Sequence, residues 1–243
     1  MNKRKVLSIV LKSLVIFFAL GGVVLCCICA QRDGYSGWTK RLLYFTNLSN
    51  IWIAALFIVM LFLPLIKHSK EKWESVLYIL KYIFTVSITI TGFVFCCLLA
   101  PFAANDGYDA WTLSSFMTHV FSPLLSIIDY FVDEKQCEIT YKRSILATLP
   151  PLAYLIFASI LHFANVDFGR GDTYPYFFLN HTSPVGIFGF GGERPFVIGS
   201  FYWVILFLLM VLSFGALYVY FAPTNVIKRR EKRKNKKLKE NEN

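Results

Sequence analysis

The sequence predicts an all-α integral membrane protein: six transmembrane helices in one bundle, both termini cytoplasmic, and a long outward loop between the fifth and sixth helices. Three observations carry this. Of 243 residues 56% are hydrophobic and only 16% charged, with a mean hydropathy of +0.54, too little charge to cover a soluble domain of this length. Six apolar runs reach the roughly 20 residues a helix needs to cross a bilayer. Lys and Arg are unevenly divided between the alternate ends of those runs.

The spans fall at about 6–30, 42–66, 76–100, 113–132, 144–164 and 197–221. The first follows MNKRK and reads as a retained anchor, because its apolar run outlasts a signal-peptide core and no small-x-small cleavage site follows. Lys3, Arg4 and Lys5 precede span one. Lys67, Lys70 and Lys72 separate spans two and three, Lys135, Lys142 and Arg143 separate four and five, and nine more basic residues follow Pro223. That side holds eighteen, against five on the other: Arg32, Lys40, Arg41, Arg170 and Arg194. Loops 31–41, 101–112 and 165–196 therefore face outward, which in a bacterial plasma membrane means away from the cytoplasm. The bias toward Lys, Asn, Ile and Phe points to an AT-rich bacterial genome.

One transmembrane domain covers 1–225, and 226–243 reads as a basic, disordered cytoplasmic tail. The tail fixes topology and suits anionic lipid, at about 1 kcal/mol per basic residue near the surface. No folded module accompanies its charge, so nucleic acid is not a predicted partner; membrane lipids are, and protein partners are left open. Cys26, Cys27, Cys29, Cys96 and Cys97 lie at outer span ends and read as packing residues, with Cys137 a cytoplasmic thiol. The loop from 165 to 196 is long for a compact bundle. Tyr174, Tyr176, Phe177 and Phe178 make it a cap on the outer face.

Polar residues inside the spans mark candidate function. Span four reads TLSSFMTHVFSPLLSIIDYF, and Ser115, His119, Ser122, Ser126 and Asp129 follow at spacings of 4, 3, 4 and 3, one face of a regular helix. Span two opens with YFTNLSN, placing Thr46, Asn47, Ser49 and Asn50 at a similar outer depth. Two such patches suggest a shared cavity. A hydroxyl with an imidazole is the minimum for nucleophilic acyl transfer: Thr46 would attack an ester carbonyl and His119 would take its proton. Free N–H groups of the first turn, with Asn47 or Asn50, would hold the oxyanion. Ser49, Ser115, Ser122 and His162, with Tyr174 and Tyr176 of the cap, complete the substrate-binding set, His162 also competing as a base. Asp129 lies ten residues from His119, about 15 Å along a helix, so it is assigned to a structural ion pair with Lys81. Any acid that orients His119 comes from Asp106, Asp109, Asp167 or Asp172. Lys12 is near enough to a span end to snorkel. No HExxH, carboxylate cluster or His pair at helical spacing appears, so neither metal nor cofactor is expected.

Thr46 opening the second of six spans in YFTNLSN, and His119 in THVFSPLLSIID, resemble the androgen-induced-gene and androgen-dependent TFPI-regulating family of membrane proteins. The segment Tyr174-Pro175-Tyr176-Phe177-Phe178-Leu179 is similar to one in bacterial relatives of that family. The resemblance covers roughly residues 40–220. It implies a threonine hydrolase of lipid esters, such as fatty acid esters of hydroxy fatty acids, with Thr46 and His119 catalytic and Asp129 matching an acidic position. The Asn after the nucleophile falls at a different offset here. Two alternatives stand beside it: a non-catalytic binding or transport protein for a small ligand, and an acyltransferase using the same Thr and His.

Overall fold

A computed structural model describes residues 3–63, 71–103, 109–133, 139–191 and 198–241. Its described residues form no extended strand; one isolated bridge joins Phe190 and Ile198. Six helices are long and apolar enough to cross a membrane. They are α1 (Lys3–Ile28), α2 (Phe45–Phe62), α3 (Glu71–Val94), α4 (Leu113–Val132), α5 (Tyr141–Phe163) and α6 (Ser200–Phe221). The expected spans agree to within a few residues. The end carrying residues 31–41 and the loop after α5 is called the outer end below, following the orientation that the charges predict.

Helices α1 to α4 form the core, α1 packing on α2 and α4, and α3 packing on both as well. Small residues permit this. A Cβ on Gly22 would stand 2.6 Å from the Thr118 methyl, and one on Gly92 would stand 2.8 Å from the His119 carbonyl oxygen. Small side chains at such crossings let backbones approach where lipid supplies no hydrophobic drive for association. Helices α5 and α6 lean on α3 instead and are mostly lipid-facing. They come together at the cytoplasmic end, where Gly215 lies under the Tyr82 hydroxyl and against Ser144 and Ala147. Toward the outer end the loop after α5 fills the space between them. Phe168, Phe178, Leu179 and Trp203 form one buried cluster there with Tyr154 and Ala158.

That loop is a cap, as expected, over the described residues 165–191. Asp167 organises it, accepting from the backbone N–H of Gly169 (2.7 Å) and Gly171 (2.9 Å) and from Ser36 Oγ (3.1 Å). These bonds hold the Asp167 carboxyl below its usual range, the Gly169 N–H foremost. Gly169 adopts φ +116°, and a Cβ there would meet the Tyr35 ring at 2.7 Å, so the turn needs glycine on both counts.

Three expectations change. The tail read as disordered, 226–243, is helical as far as it is described, within a further helix, α7 (Pro223–Asn241). Lys, Arg and Glu are good helix formers, Pro at the first position starts the helix, and Asn225 ties it to the carbonyls of Ile139 (3.0 Å) and Val219 (2.8 Å). Lys12 does not snorkel; it is 5% exposed and ion-paired. The inner face of span four is displaced by one residue at its outer half, for the reason given below. Cys26, Cys27, Cys29, Cys96 and Cys97 are free thiols, and Cys137 lies outside the described residues.

Candidate functional site

Tyr44 is extended (φ −87°, ψ 139°) and α2 begins at Phe45 without a side-chain cap of its own. The Tyr44 carbonyl accepts from the N–H of Asn47 and of Leu48, both at 3.1 Å, and the Tyr176 hydroxyl lies against the N–H groups of Phe45 and Thr46. The polar residues of this first turn then diverge. Asn47 turns outward and donates to the Arg41 carbonyl (2.7 Å). Ser49 bonds the Thr91 hydroxyl of α3 (2.8 Å). Asn50 donates to the Thr118 carbonyl of α4 (3.1 Å) and to the Thr46 carbonyl (2.8 Å). Ser49 and Asn50 therefore join helices, each bond worth on the order of 0.6 kcal/mol, while Asn47 ties the start of α2 to the chain that leads into it. Thr46 is different, because among the described residues its Oγ bonds only the Tyr176 hydroxyl, at 3.4 Å.

Thr46 and Tyr176 stand at the wall of a cavity of about 100 Å³ between α2, α3, α5, α6 and the cap. Its walls are Phe45, Ile90, Val94, Leu99, Pro151, Leu152, Leu155, Phe178, Leu179, Val204, Phe207, Leu208 and Val211. Four lining residues carry hydroxyls: Thr46, Thr91, Tyr154 and Tyr176. Tyr154 donates to the Leu43 carbonyl (3.0 Å), and Thr91 is bonded to Ser49 and the Ser87 carbonyl. The uncommitted polarity of an otherwise hydrocarbon space is the Thr46–Tyr176 pair. The Tyr176 ring is held between Phe178, stacked at 5.0 Å, and Tyr44, edge-on at 5.7 Å. Burial pushes the Tyr176 hydroxyl up to about 12, against the downward pull of its bond to Thr46.

His119 is not in that cavity wall. Residues Phe116–Phe121 form a π turn, in which the Ser122 N–H bonds Met117 five residues back rather than four. The turn inserts one residue into the helical period, so the buried hydroxyl face of α4 runs Asp129, Ser126, Ser122, Thr118, Ser114. Ser115 and His119, expected inward, are half-buried instead. Ser115 bonds the Thr112 hydroxyl at the helix start (3.0 Å). The His119 ring stacks flat on Phe95 of a second π turn, Phe95–Leu99, with centroids 3.8 Å apart. Its Nδ1 is buried without a hydrogen-bond partner, as are Ser122 Oγ and Asn50 Oδ1. Thr91 lines the cavity with Thr46 and its backbone lies against the His119 imidazole; among the described residues no direct hydrogen bond joins Thr46 and His119. Among the described residues no carboxylate orients His119. Asp167 serves its own turn, and Asp109 accepts from the Trp111 N–H (2.9 Å). Asp106 lies outside the described residues.

His162, in the last turn of α5, and Tyr174, in the cap, were placed in the site by sequence and are absent from the cavity wall. His162 Nδ1 meets the carbonyl (3.2 Å) and hydroxyl (3.1 Å) of Thr173, and its ring is 6.3 Å from Tyr174. Beside it His181 bridges Ser159 of α5 (2.9 Å) and Ser200 of α6 (2.7 Å). Burial, then the neighbouring His162, lower the affinity of His181 for a proton. A released loop would therefore bind protons that the anchored loop does not. The anchorage is complete above the ordinary histidine range near pH 6.5 and weakens as pH falls below it. Amide exchange across 172–182, corrected for intrinsic rates, is expected to quicken between pH 7.5 and 5, and His181→Gln should remove most of that difference.

The predicted Lys81–Asp129 pair is present, at 2.6 Å, inside a larger group that sequence reasoning missed. Lys81 also meets Asp133 (2.6 Å), and Lys12 meets Asp133 (2.9 Å) and Asp129 (3.1 Å). Ser8 donates to Asp129 Oδ1 (2.6 Å). The available signal was Asp129 and Asp133 four apart on one helix face, with a lysine at matching depth in each of two neighbouring spans. Two lysines and two aspartates cancel, which makes their burial tolerable. Among the described residues no three metal-binding side chains converge. No family model matches the chain, and no curated protein or solved structure is significantly similar to it.

Proposed function

We propose that the protein is an intramembrane hydrolase of lipid esters, with Thr46 as the nucleophile. The supporting observation is the cavity: hydrocarbon walls on five sides and one uncommitted hydroxyl pair. An acyl chain fits the walls, and its ester carbonyl would meet the pair. Convergent polar groups in an apolar pocket are the usual form of a small-molecule site. Pro151, Leu152 and Leu155 of α5 and Val204, Leu208 and Val211 of α6 line the cavity, so a lateral way in would run between these two apolar helices, below the cap. In this reading the chain works in a bacterial plasma membrane, and basic α7 lies along anionic headgroups. His119, the base expected from sequence, lines no part of the cavity and would reach Thr46 only through a bridging water. An alcohol in place of water would give acyl transfer by the same acyl-enzyme.

Purified protein is expected to label with a lipophilic fluorophosphonate, and Thr46→Ala should lose at least nine-tenths of the label while keeping its melting temperature. A well-folded wild type that neither labels nor cleaves any long-chain ester would sink the hydrolase. The second reading, a non-catalytic lipid-binding protein, is favoured by the missing direct bond between Thr46 and His119. It predicts fatty-acid binding that Val211→Trp, which fills the cavity, abolishes while Thr46→Ala leaves intact.

A further inference from the structure

We propose that the proton of Thr46 goes to the Tyr176 hydroxyl while Tyr176 passes its own proton to the departing oxygen of the ester. The inference rests on the hydrolase reading. In the acylation step the Thr46 Oγ–carbonyl carbon bond forms and the bond from that carbon to the alkoxide oxygen breaks. The alcohol leaves protonated by Tyr176, and Tyr176 is reprotonated by Thr46. Deacylation is the reverse traffic: water attacks the acyl carbon, gives a proton to Tyr176, and Tyr176 returns one to Thr46 Oγ.

Geometry comes first. Tyr176 is the one hydrogen-bond partner of Thr46 Oγ among the described residues, and at 3.4 Å either oxygen can be the donor. The imidazole of His119 is stacked on Phe95 and absent from the cavity wall. The Tyr176 oxygen also lies against the N–H groups of Phe45 and Thr46 at the start of an 18-residue helix. That is where negative charge gathering on it in transit is stabilised. Its ring cannot swing away, being held by Tyr44 and Phe178.

The medium supplies the second argument. A threonine–histidine pair makes an imidazolium as the nucleophile attacks, and separated charge in a hydrocarbon-lined space is costly. A hydroxyl relay moves two protons and leaves no ion behind. It requires Tyr176 to stay neutral, and burial keeps it so through the physiological range. The proton that Tyr176 supplies matters most when the leaving oxygen is strongly basic. An alkoxide needs that proton; a nitrophenolate does not.

The test compares two esters of one long acyl chain, an alkyl ester and a p-nitrophenyl ester, on full-length protein in lipid nanodiscs. The variants are Tyr176→Phe, which keeps the ring packing, and His119→Gln. General acid–base groups contribute about 10²- to 10⁴-fold. Tyr176→Phe is expected to lower kcat on the alkyl ester about 100-fold or more, and on the nitrophenyl ester at least tenfold less, with KM little changed. A loss of structure alone would strike both esters equally. Wild type that cleaves esters while Tyr176→Phe is unimpaired, or equally impaired on both, overturns the relay and leaves the hydrolase. Transfer of the leaving-group dependence to His119→Gln overturns it too. A wild type inactive on both esters overturns the hydrolase and the relay together.

Discussion

Lys81→Met is expected to destabilise the folded protein by about 3–5 kcal/mol, the cost of stripping one partner from a buried ionic group. The substitution is close in volume, so packing changes little. What changes is charge. Among the described residues, Asp129, with no exposed surface, and Asp133 would keep one of their two lysines, Lys12. At roughly 2–4 °C per kcal/mol for a chain of this size, melting should fall by about 10 °C. The double variant Lys81→Met/Asp133→Asn restores neutrality and should recover more than half of the loss. If the single and double variants melt alike, the cluster is held by packing and not by charge balance. Lys12 contributes in the same way, and Lys12→Met should resemble Lys81→Met.

Gly92→Leu is the second large effect. A Cβ at Gly92 stands 2.8 Å from the His119 carbonyl oxygen and 3.1 Å from both Pro123 Cβ and Cγ. The obstacle is backbone and a rigid ring, neither of which yields as a flexible side chain would. Overpacking of this kind costs about 1–3 kcal/mol, and here it also parts α3 from α4 at the level of the His119–Phe95 stack. Melting should fall by several degrees. Thr46 labelling should survive better than the melting temperature, since neither Gly92 nor any residue of α4 lines the cavity. Gly92→Ala should cost less, though more than Gly37→Ala, whose added methyl would meet only the Thr39 hydroxyl oxygen, at 3.9 Å.

The architecture was legible because its cause is compositional. Twenty-residue apolar runs between basic loops leave helices as the one economical solution for backbone in lipid, and all six appear near their expected places. The site was legible in part. YFTNLSN holds both answers that its composition allowed: Ser49 and Asn50 fasten α2 to its neighbours, and Thr46 is left at the cavity wall. The contribution of Tyr176 was visible only as a member of an aromatic cap, because the fold of that cap decides which ring reaches α2. Lys12 was misread from depth alone. Its carboxylate partners are more than a hundred residues away, and a snorkelling lysine and a paired one look the same within a single span. Span four failed for a subtler reason. A wheel drawn at 3.6 residues per turn assumes four-residue hydrogen bonds throughout, and nothing in TLSSFMTHVFSP announces a turn closed by five.

That extra residue in span four behaves as a phase shift in the helix. Everything from Ser122 downward is read on one setting and everything above Phe116 on another, about 100° apart. Removing a single residue between Phe116 and Phe121 would return both halves to one setting. Depending on the side that gives way, either His119 would swing toward the bundle axis or Asp129 would swing out of its ionic group. Comparison of this span with a regular helix that lacks the bulge must therefore slip by one residue partway along, even where no gap is visible. Two chains that agree letter for letter above the bulge and below it can still present different chemistry at the midplane, if only one of them carries the extra turn.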